Sequence, residues 1–205
     1  MDQRLEAEWG RHRKAIRARL AEFAALREAS AERLFPELAF CLCTPQSNGR
    51  RCGEAVERLQ ARGLLWEGSA EAVERVLSTH VRFHKTKAQR IVAARGVLTD
   101  GFLQELRRLP AAAARERLAA VKGLGYKEAS HFLRNVGLGF ELGILDRHVL
   151  RNLKTLAAVR LPKTLTKKQY LRIERAMKRC AEREGLALQE LDLLLWAKEA
   201  GMVFK

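Results

Sequence analysis

Leu118-Ala119-Ala120-Val121-Lys122-Gly123-Leu124-Gly125-Tyr126-Lys127-Glu128-Ala129-Ser130-His131-Phe132-Leu133 is the stretch from which the fold is read. Leu118 and Val121 are apolar on the way in, and Ala129, Phe132 and Leu133 are apolar on the way out, at helical spacing. Two helices therefore meet at a tight glycine hairpin, a helix-hairpin-helix over about 111–136. Gly123 and Gly125 permit the positive dihedrals and close backbone approach that a side chain would block. A helix beginning near Tyr126 points free N–H groups out of the hairpin, and phosphate binds well at such an end. Gly123 and Gly125 are thus candidate contacts to a nucleic-acid backbone. Nineteen residues after Lys127 comes Asp146, in Leu145-Asp146-Arg147-His148, so a hairpin, a lysine and a lone carboxylate follow one another.

The chain of 205 residues carries 39 Lys and Arg against 24 Asp and Glu, a formal net charge of +15. Such an imbalance costs self-repulsion, and a polyanionic partner is its usual reason. The alternative is a basic solvated surface or a ribosome-associated protein, and charge alone does not separate DNA from RNA. At 47% hydrophobic content the chain is able to bury a real core. No apolar run of about eighteen residues crosses a membrane, and the N-terminus lacks the apolar centre of a signal peptide, which implies a cytoplasmic protein.

Helical periodicity runs through nearly every segment, and no stretch alternates as a strand does. Helices are expected over about 4–27, 31–43, 49–61, 70–78, 85–98, 100–107 and 111–121. After the hairpin they continue over 126–136, 146–158, 166–184 and 188–200. Pro36, Pro45, Pro110 and Pro162 all read as helix boundaries. Basic residues cluster at Arg11–Arg19, Arg82–Arg95, Arg147–Lys154 and Lys163–Arg179, a track that only the folded chain assembles. Cys41, Cys43, Cys52 and Cys180 fit no zinc spacing, and Cys41 and Cys43 read as buried free thiols.

The run 123–137, the Ile144-Leu145-Asp146-Arg147-His148 segment, Leu161-Pro162-Lys163-Thr164-Leu165 and the final lysine together carry a resemblance. They resemble the archaeal-type 8-oxoguanine DNA glycosylase/AP lyases of the helix-hairpin-helix DNA glycosylase superfamily. The likeness is clear from about residue 120 onward and weaker over 35–95. It implies an all-α fold with two helical subdomains around a cleft. One would span 30–135, ending in the hairpin motif; the other would join 1–29 to 136–205. It implies Lys127 and Asp146 as catalytic residues facing the cleft. Phe83 and Trp196 would flank the extruded base, and Lys205 would help read it. Thr44-Pro45-Gln46-Ser47-Asn48-Gly49 departs from the relatives in a region that fills the gap left by the flipped base, and Gln46, Ser47 and Asn48 are all polar enough to do so. Some relatives hold an iron–sulfur cluster through four closely spaced C-terminal cysteines. Here only Cys180 lies in that half, so no cluster is expected.

The residues themselves allow more than one role. Lys127 opens a helix, where a cation meets the unfavourable end of the macrodipole; this favours the neutral, nucleophilic amine. Taken alone it reads first as an exposed, phosphate-binding lysine, and the resemblance turns the reading to catalysis. Asp146 is well placed as a helix N-cap, a role compatible with chemistry because a cap fixes the side chain. His148 reads as a phosphate contact or an exposed helical histidine, and His131 as a core residue. Asp192 interrupts an apolar run, so it is either a solvent-facing residue or a buried acceptor with a partner. With Trp196, four residues on along one helix face, it offers an acceptor beside an aromatic plate, which suits a flipped purine, while core packing is the default reading of Trp196.

The expected function is a bifunctional DNA glycosylase/AP lyase in base excision repair, acting as a monomer on double-stranded DNA containing oxidised guanine. It would use no cofactor and no metal in catalysis, with room for a monovalent cation at the hairpin backbone. The competing classes are a non-catalytic helix-hairpin-helix DNA-binding module and a monofunctional glycosylase for another lesion.

Overall fold

The computed structural model describes residues 2–162 and 164–205; Lys163, part of the 161–165 motif and of the basic track, lies outside the described residues. Among the described residues the chain is all helix, twelve α-helices and no strand. A long first helix, α1 (Gln3–Ala25), precedes α2 (Ala31–Cys43), α3 (Gly49–Ala61), α4 (Leu64–Glu67), α5 (Ala70–Leu77) and α6 (His84–Ala94). Then come α7 (Asp100–Arg108), α8 (Ala111–Ala119), α9 (Tyr126–Asn135), α10 (Arg147–Leu156), α11 (Lys167–Glu184) and α12 (Leu188–Ala200).

Two apolar clusters organise these helices. The first takes its buried side chains from α2 to α9, with Phe35, Phe40, Leu59, Leu103 and Phe132 at its centre. The second joins Leu5, Ile16 and Phe23 of α1 to Val149 and Leu153 of α10, Ile173 and Met177 of α11, and Leu191, Leu194 and Leu195 of α12. The chain thus leaves the second cluster after α1, builds the first, and returns. Each fully buried Leu or Phe contributes roughly 1.5–3 kcal/mol by leaving water. α1 packs on both α9 and α12, so the hairpin helix is clamped between the clusters.

Local signals set the helix ends. Ser30 caps α2 by accepting from Arg33 N–H, and Thr166 with Gln169 forms a reciprocal cap on α11. Gly185 at φ +70° and Gly201 at φ +74° end α11 and α12 in the left-handed turn that glycine adopts without strain.

Three sequence expectations need correction. Pro36 lies inside α2 rather than at a boundary. Its ring disturbs only the first-turn carbonyl of Glu32, while the buried run from Leu38 to Cys43 holds the rest of the helix. α4, a single turn after Gly63, is too short to show periodicity. Of the hairpin glycines only Gly123 has a positive φ, +104°; Gly125 sits at φ −97° in extended backbone that any residue adopts. What Gly125 supplies is space, since a Cβ there would lie 3.0 Å from the Glu128 carboxylate.

A buried polar network ties the two clusters together and sets the approach to Asp146. Arg115 of α8 forms a two-pronged ion pair with Glu174 of α11, at 2.5 and 3.2 Å. Glu174 also accepts from the Gly143 N–H at 2.8 Å. The Tyr170 hydroxyl donates to the Gly143 carbonyl at 2.7 Å and accepts from Leu145 N–H at 3.3 Å. Segment 143–145 is therefore held from both sides immediately before Asp146.

Candidate active site

Lys127 is the second residue of α9, directly beyond the hairpin. Its side chain is largely covered, and its Nζ donates to the Thr44 hydroxyl at 2.8 Å and lies 3.1 Å from Glu128. The Glu128 carboxylate in turn accepts from Gly125 N–H at 3.2 Å, which closes the hairpin onto the helix start. Gly123 leaves space taken by Arg90, whose Cδ would lie 2.5 Å from a Cβ at that position. The Thr44 hydroxyl donates to the Cys41 carbonyl at 2.9 Å, which leaves its oxygen free to accept from the lysine.

Asp146 caps α10. Its Oδ1 accepts from both His148 N–H and Val149 N–H, each at 2.8 Å. Oδ2 makes no hydrogen bond among the described residues, so one oxygen fixes the carboxylate and the other is available for chemistry. No hydrogen bond or ion pair joins Lys127 to Asp146 among the described residues. They are related through α9, where Lys127, His131 and Arg134 follow one another along one side, and the Arg134 guanidinium acts electrostatically on both Asp146 and Asp192.

Asp192 does not stand open beside Trp196. It is 5% exposed and pairs with Arg134 at 3.2 Å, a buried pair linking α12 to α9. Burial lifts its carboxyl to about 7, against the pull of Arg134. Arg134 also donates to Asn135 and stacks its guanidinium 5.1 Å from the Phe23 ring.

Trp196 is half-buried, with its ring near Phe204 at 6.0 Å and His148 at 6.5 Å. His148 lies over α10 between Trp196 and Glu199, its Nδ1 3.9 Å from that carboxylate. The segment 202–205 crosses from the second cluster to the first. Phe204 packs on Phe40 and into the space left by Gly53, where a Cβ would meet the ring at 2.9 Å. Lys205 Nζ pairs with Glu37 at 2.5 Å and sits 4.9 Å above the Phe40 ring. The Lys205 backbone faces the buried His131 ring and favours its charged form. Burial and the surrounding cations push His131 well below the usual histidine value, so the ring is neutral.

Phe83 stands apart from Trp196. It is 55% exposed, caps α6 at φ +57°, and has only Arg82 over its ring, at 5.6 Å. The structure therefore gathers Lys127, His131, Trp196 and Lys205 around one end of α9, with Asp146 and Asp192 on its flank, and leaves Phe83 on a neighbouring exposed tip. Sequence reasoning missed Thr44, Glu37, Arg134 and Lys87. Each is defined by a partner more than forty residues away, and no local pattern marks such pairings.

All four cysteines are free and buried. Burial raises the Cys41 and Cys43 thiols far above their usual value and lifts Cys52 to about 11, so none is poised as a nucleophile. Cys180 belongs to the second cluster and the other three to the first, so the four do not converge on one cluster of metal. Among the described residues no group of three His, Cys, Asp or Glu side chains is placed to hold a metal ion.

A glycine hairpin leading into a lysine-bearing helix, with a capped aspartate on the next helix, defines a helix-hairpin-helix DNA glycosylase architecture. The family model described as 8-oxoguanine DNA glycosylase matches residues 16–186, and the chain belongs to that family. A relative from Fusobacterium nucleatum, named 8-oxoguanine DNA glycosylase/AP lyase, is 40% identical over 201 residues, covering 93% of this chain and 91% of the relative. One of the same name from Methanocaldococcus jannaschii is 36% identical over 197 residues, covering 93% and 91%. Among solved structures, the 8-oxoguanine DNA glycosylase of Thermotoga maritima superposes with a TM-score of 0.87 at 35% identity, covering 99% of this chain and 97% of that one. The M. jannaschii glycosylase/lyase in complex with a 15mer DNA containing 8-oxoguanine gives 0.85 at 35% identity, covering 94% and 93%.

Proposed function

We propose that this chain excises 8-oxoguanine from double-stranded DNA as a bifunctional glycosylase/AP lyase, with Lys127 as nucleophile and Asp146 as its electrostatic partner. The observation that carries the residue assignment is the placement of Lys127 at the hairpin exit, together with an Asp146 whose Oδ1 is fixed by two cap bonds while its Oδ2 stays free. The damaged nucleotide leaves the stack and its sugar approaches the amine. Lys127 exchanges its contacts with Thr44 and Glu128 for the substrate. The neutral amine attacks the anomeric carbon as the base departs, while the Asp146 carboxylate stabilises the cationic sugar. The ring opens to a Schiff base, whose neighbouring proton is acidic. Its loss expels the 3′ phosphate and nicks the strand.

No step needs a cofactor. The hairpin carbonyls are the proposed seat of a monovalent cation; that of Val121 already accepts from Leu124 N–H and offers one remaining lone pair. Gly123, Gly125 and His148 serve the DNA backbone. Trp196 and Lys205, with Asp192 behind them, face the extruded base; Phe83 acts from its exposed tip. No helix among the described residues is long and apolar enough to cross a membrane, which suits work at the nucleoid in the cytoplasm.

The test is incubation with duplex containing 8-oxoguanine in the presence of borohydride. A covalent protein–DNA adduct with base release is the expected result. Base release without an adduct would mean a monofunctional glycosylase, and binding without either would mean a DNA-binding module.

A further inference from the structure

Lys87 of α6 is an internal cation without a carboxylate. It is 1% exposed, and its Nζ donates to the Cys43 carbonyl at 2.7 Å, the Pro45 carbonyl at 2.8 Å and the Ser47 hydroxyl at 2.8 Å. The acceptors run from the last residue of α2 into the turn that leads to α3. Burying an ammonium is unfavourable unless its donors are satisfied, and here each of its three N–H groups has one acceptor.

The turn it holds has unusual backbone. Gln46 sits at φ +54°, in the left-handed region that non-glycine residues rarely adopt, and its side chain is exposed. Strain of this kind persists only where the surroundings over-determine it, and it concentrates at functional sites. The neighbouring side chains are already committed. Ser47 accepts from Lys87 and from Arg82 N–H at 3.0 Å, and Asn48 caps α3 through Arg51 N–H at 3.2 Å. Gln46 alone is left to project. The Arg82 bond also ties this turn to the second strained tip, Phe83 at φ +57°. The first residue of the turn, Thr44, bonds the Lys127 amine, so the assembly stands at the reacting group.

We propose that Lys87 is a positioning residue for base extrusion: its buried ammonium holds the 44–48 turn so that Gln46 is presented to the duplex beside Lys127. This rests on the glycosylase reading above. Extrusion opens a gap in the stack, and a side chain held rigidly at that gap favours the extruded state. Once the base is gone, the abasic sugar needs no such help.

The test compares wild type, Lys87→Met and Ser47→Ala. Four quantities are read: melting temperature, affinity for undamaged duplex, single-turnover excision of 8-oxoguanine, and strand cleavage at a preformed abasic site. A fifth readout is the fluorescence of 2-aminopurine placed beside the lesion, which rises when stacking is broken. Lys87→Met is expected to excise roughly 10- to 100-fold more slowly, as misplacement by about 1 Å commonly costs. Abasic-site cleavage should stay within about threefold, and the fluorescence rise should be lost although duplex is bound. Ser47→Ala should show the same split, smaller, and decides the matter if Lys87→Met does not fold. Equal retention of both activities, or a parallel fall tracking the folded fraction, would overturn the role. If the wild type leaves 8-oxoguanine attached, the proposed function fails, while the fluorescence contrast still decides the role of Lys87.

Discussion

Replacing Asp146 separates its two jobs, because one carboxylate oxygen does the capping and the other does not. Oδ1 accepts from His148 N–H and Val149 N–H at 2.8 Å each. Asparagine keeps that acceptor and caps helices about as well as aspartate. It loses only the charge at the helix N-terminus, about 0.3–1 kcal/mol. In a protein of this size about 1 kcal/mol moves the melting temperature by roughly 2–4 °C, so Asp146→Asn should melt within about 4 °C of wild type. Asp146→Ala loses the cap as well, about 0.5–2 kcal/mol more, and should melt up to about 12 °C lower than wild type. Activity should follow a different order. Both substitutions remove the charge proposed to face the sugar cation, and losing one such group costs about 2.7–4 kcal/mol, or 100- to 1000-fold. Calorimetry and single-turnover excision measure the two effects. An Asp146→Asn protein that excises within about twofold of wild type would show that the residue is a cap and nothing more.

Three further outcomes follow from other contacts. Glu174→Ala leaves Arg115 buried and unpaired; it should cost about 3–5 kcal/mol, roughly 6–20 °C of melting temperature, and slow excision because segment 143–145 loses its tether. A melting temperature unchanged from wild type would refute the importance of that pair. Asp192 is raised in the folded chain from 3.8 to about 7, so its contribution to stability is present below pH 4 and lost as pH rises through 7. Asp192→Asn should flatten the melting curve across that window relative to wild type, and parallel curves would contradict the assignment. Deleting Lys205 removes a part-exposed pair with Glu37, worth no more than about 1 kcal/mol to the fold, yet should slow 8-oxoguanine excision by roughly 5- to 150-fold while sparing abasic-site cleavage. Equal excision rates would make that residue a bystander.

The fold was largely legible because its signals are local. Caps at Ser30, Asp146 and Thr166, the apolar stripe of α1 and the glycine hairpin each lie within a few neighbouring residues. Where local rules failed, tertiary packing overrode them: Pro36 is carried inside a helix by the buried residues that follow it. The site was legible only in part. Lys127 and Asp146 stand at helix starts, but it is the family resemblance, not that position, that singles them out for chemistry. The second partner of Lys127 was not legible, since Thr44 lies 83 residues away in sequence. Asp192 reads from the sequence as either a solvent-facing residue or a buried acceptor with a partner, and since that partner, Arg134, is 58 residues distant, no local signal names it. Lys87 looks like any lysine in a basic helix until the turn it organises is seen.

The central claim is that the Lys127 amine forms the covalent intermediate. Wild-type protein and Lys127→Gln are each incubated with duplex containing 8-oxoguanine and borohydride, then digested and the DNA-bearing peptide identified by mass. The account predicts a reduced adduct on Lys127 in the wild type, and in Lys127→Gln undamaged duplex bound but no adduct and no nick. An adduct of equal yield on another residue, or full strand cleavage by pure Lys127→Gln protein, would contradict it.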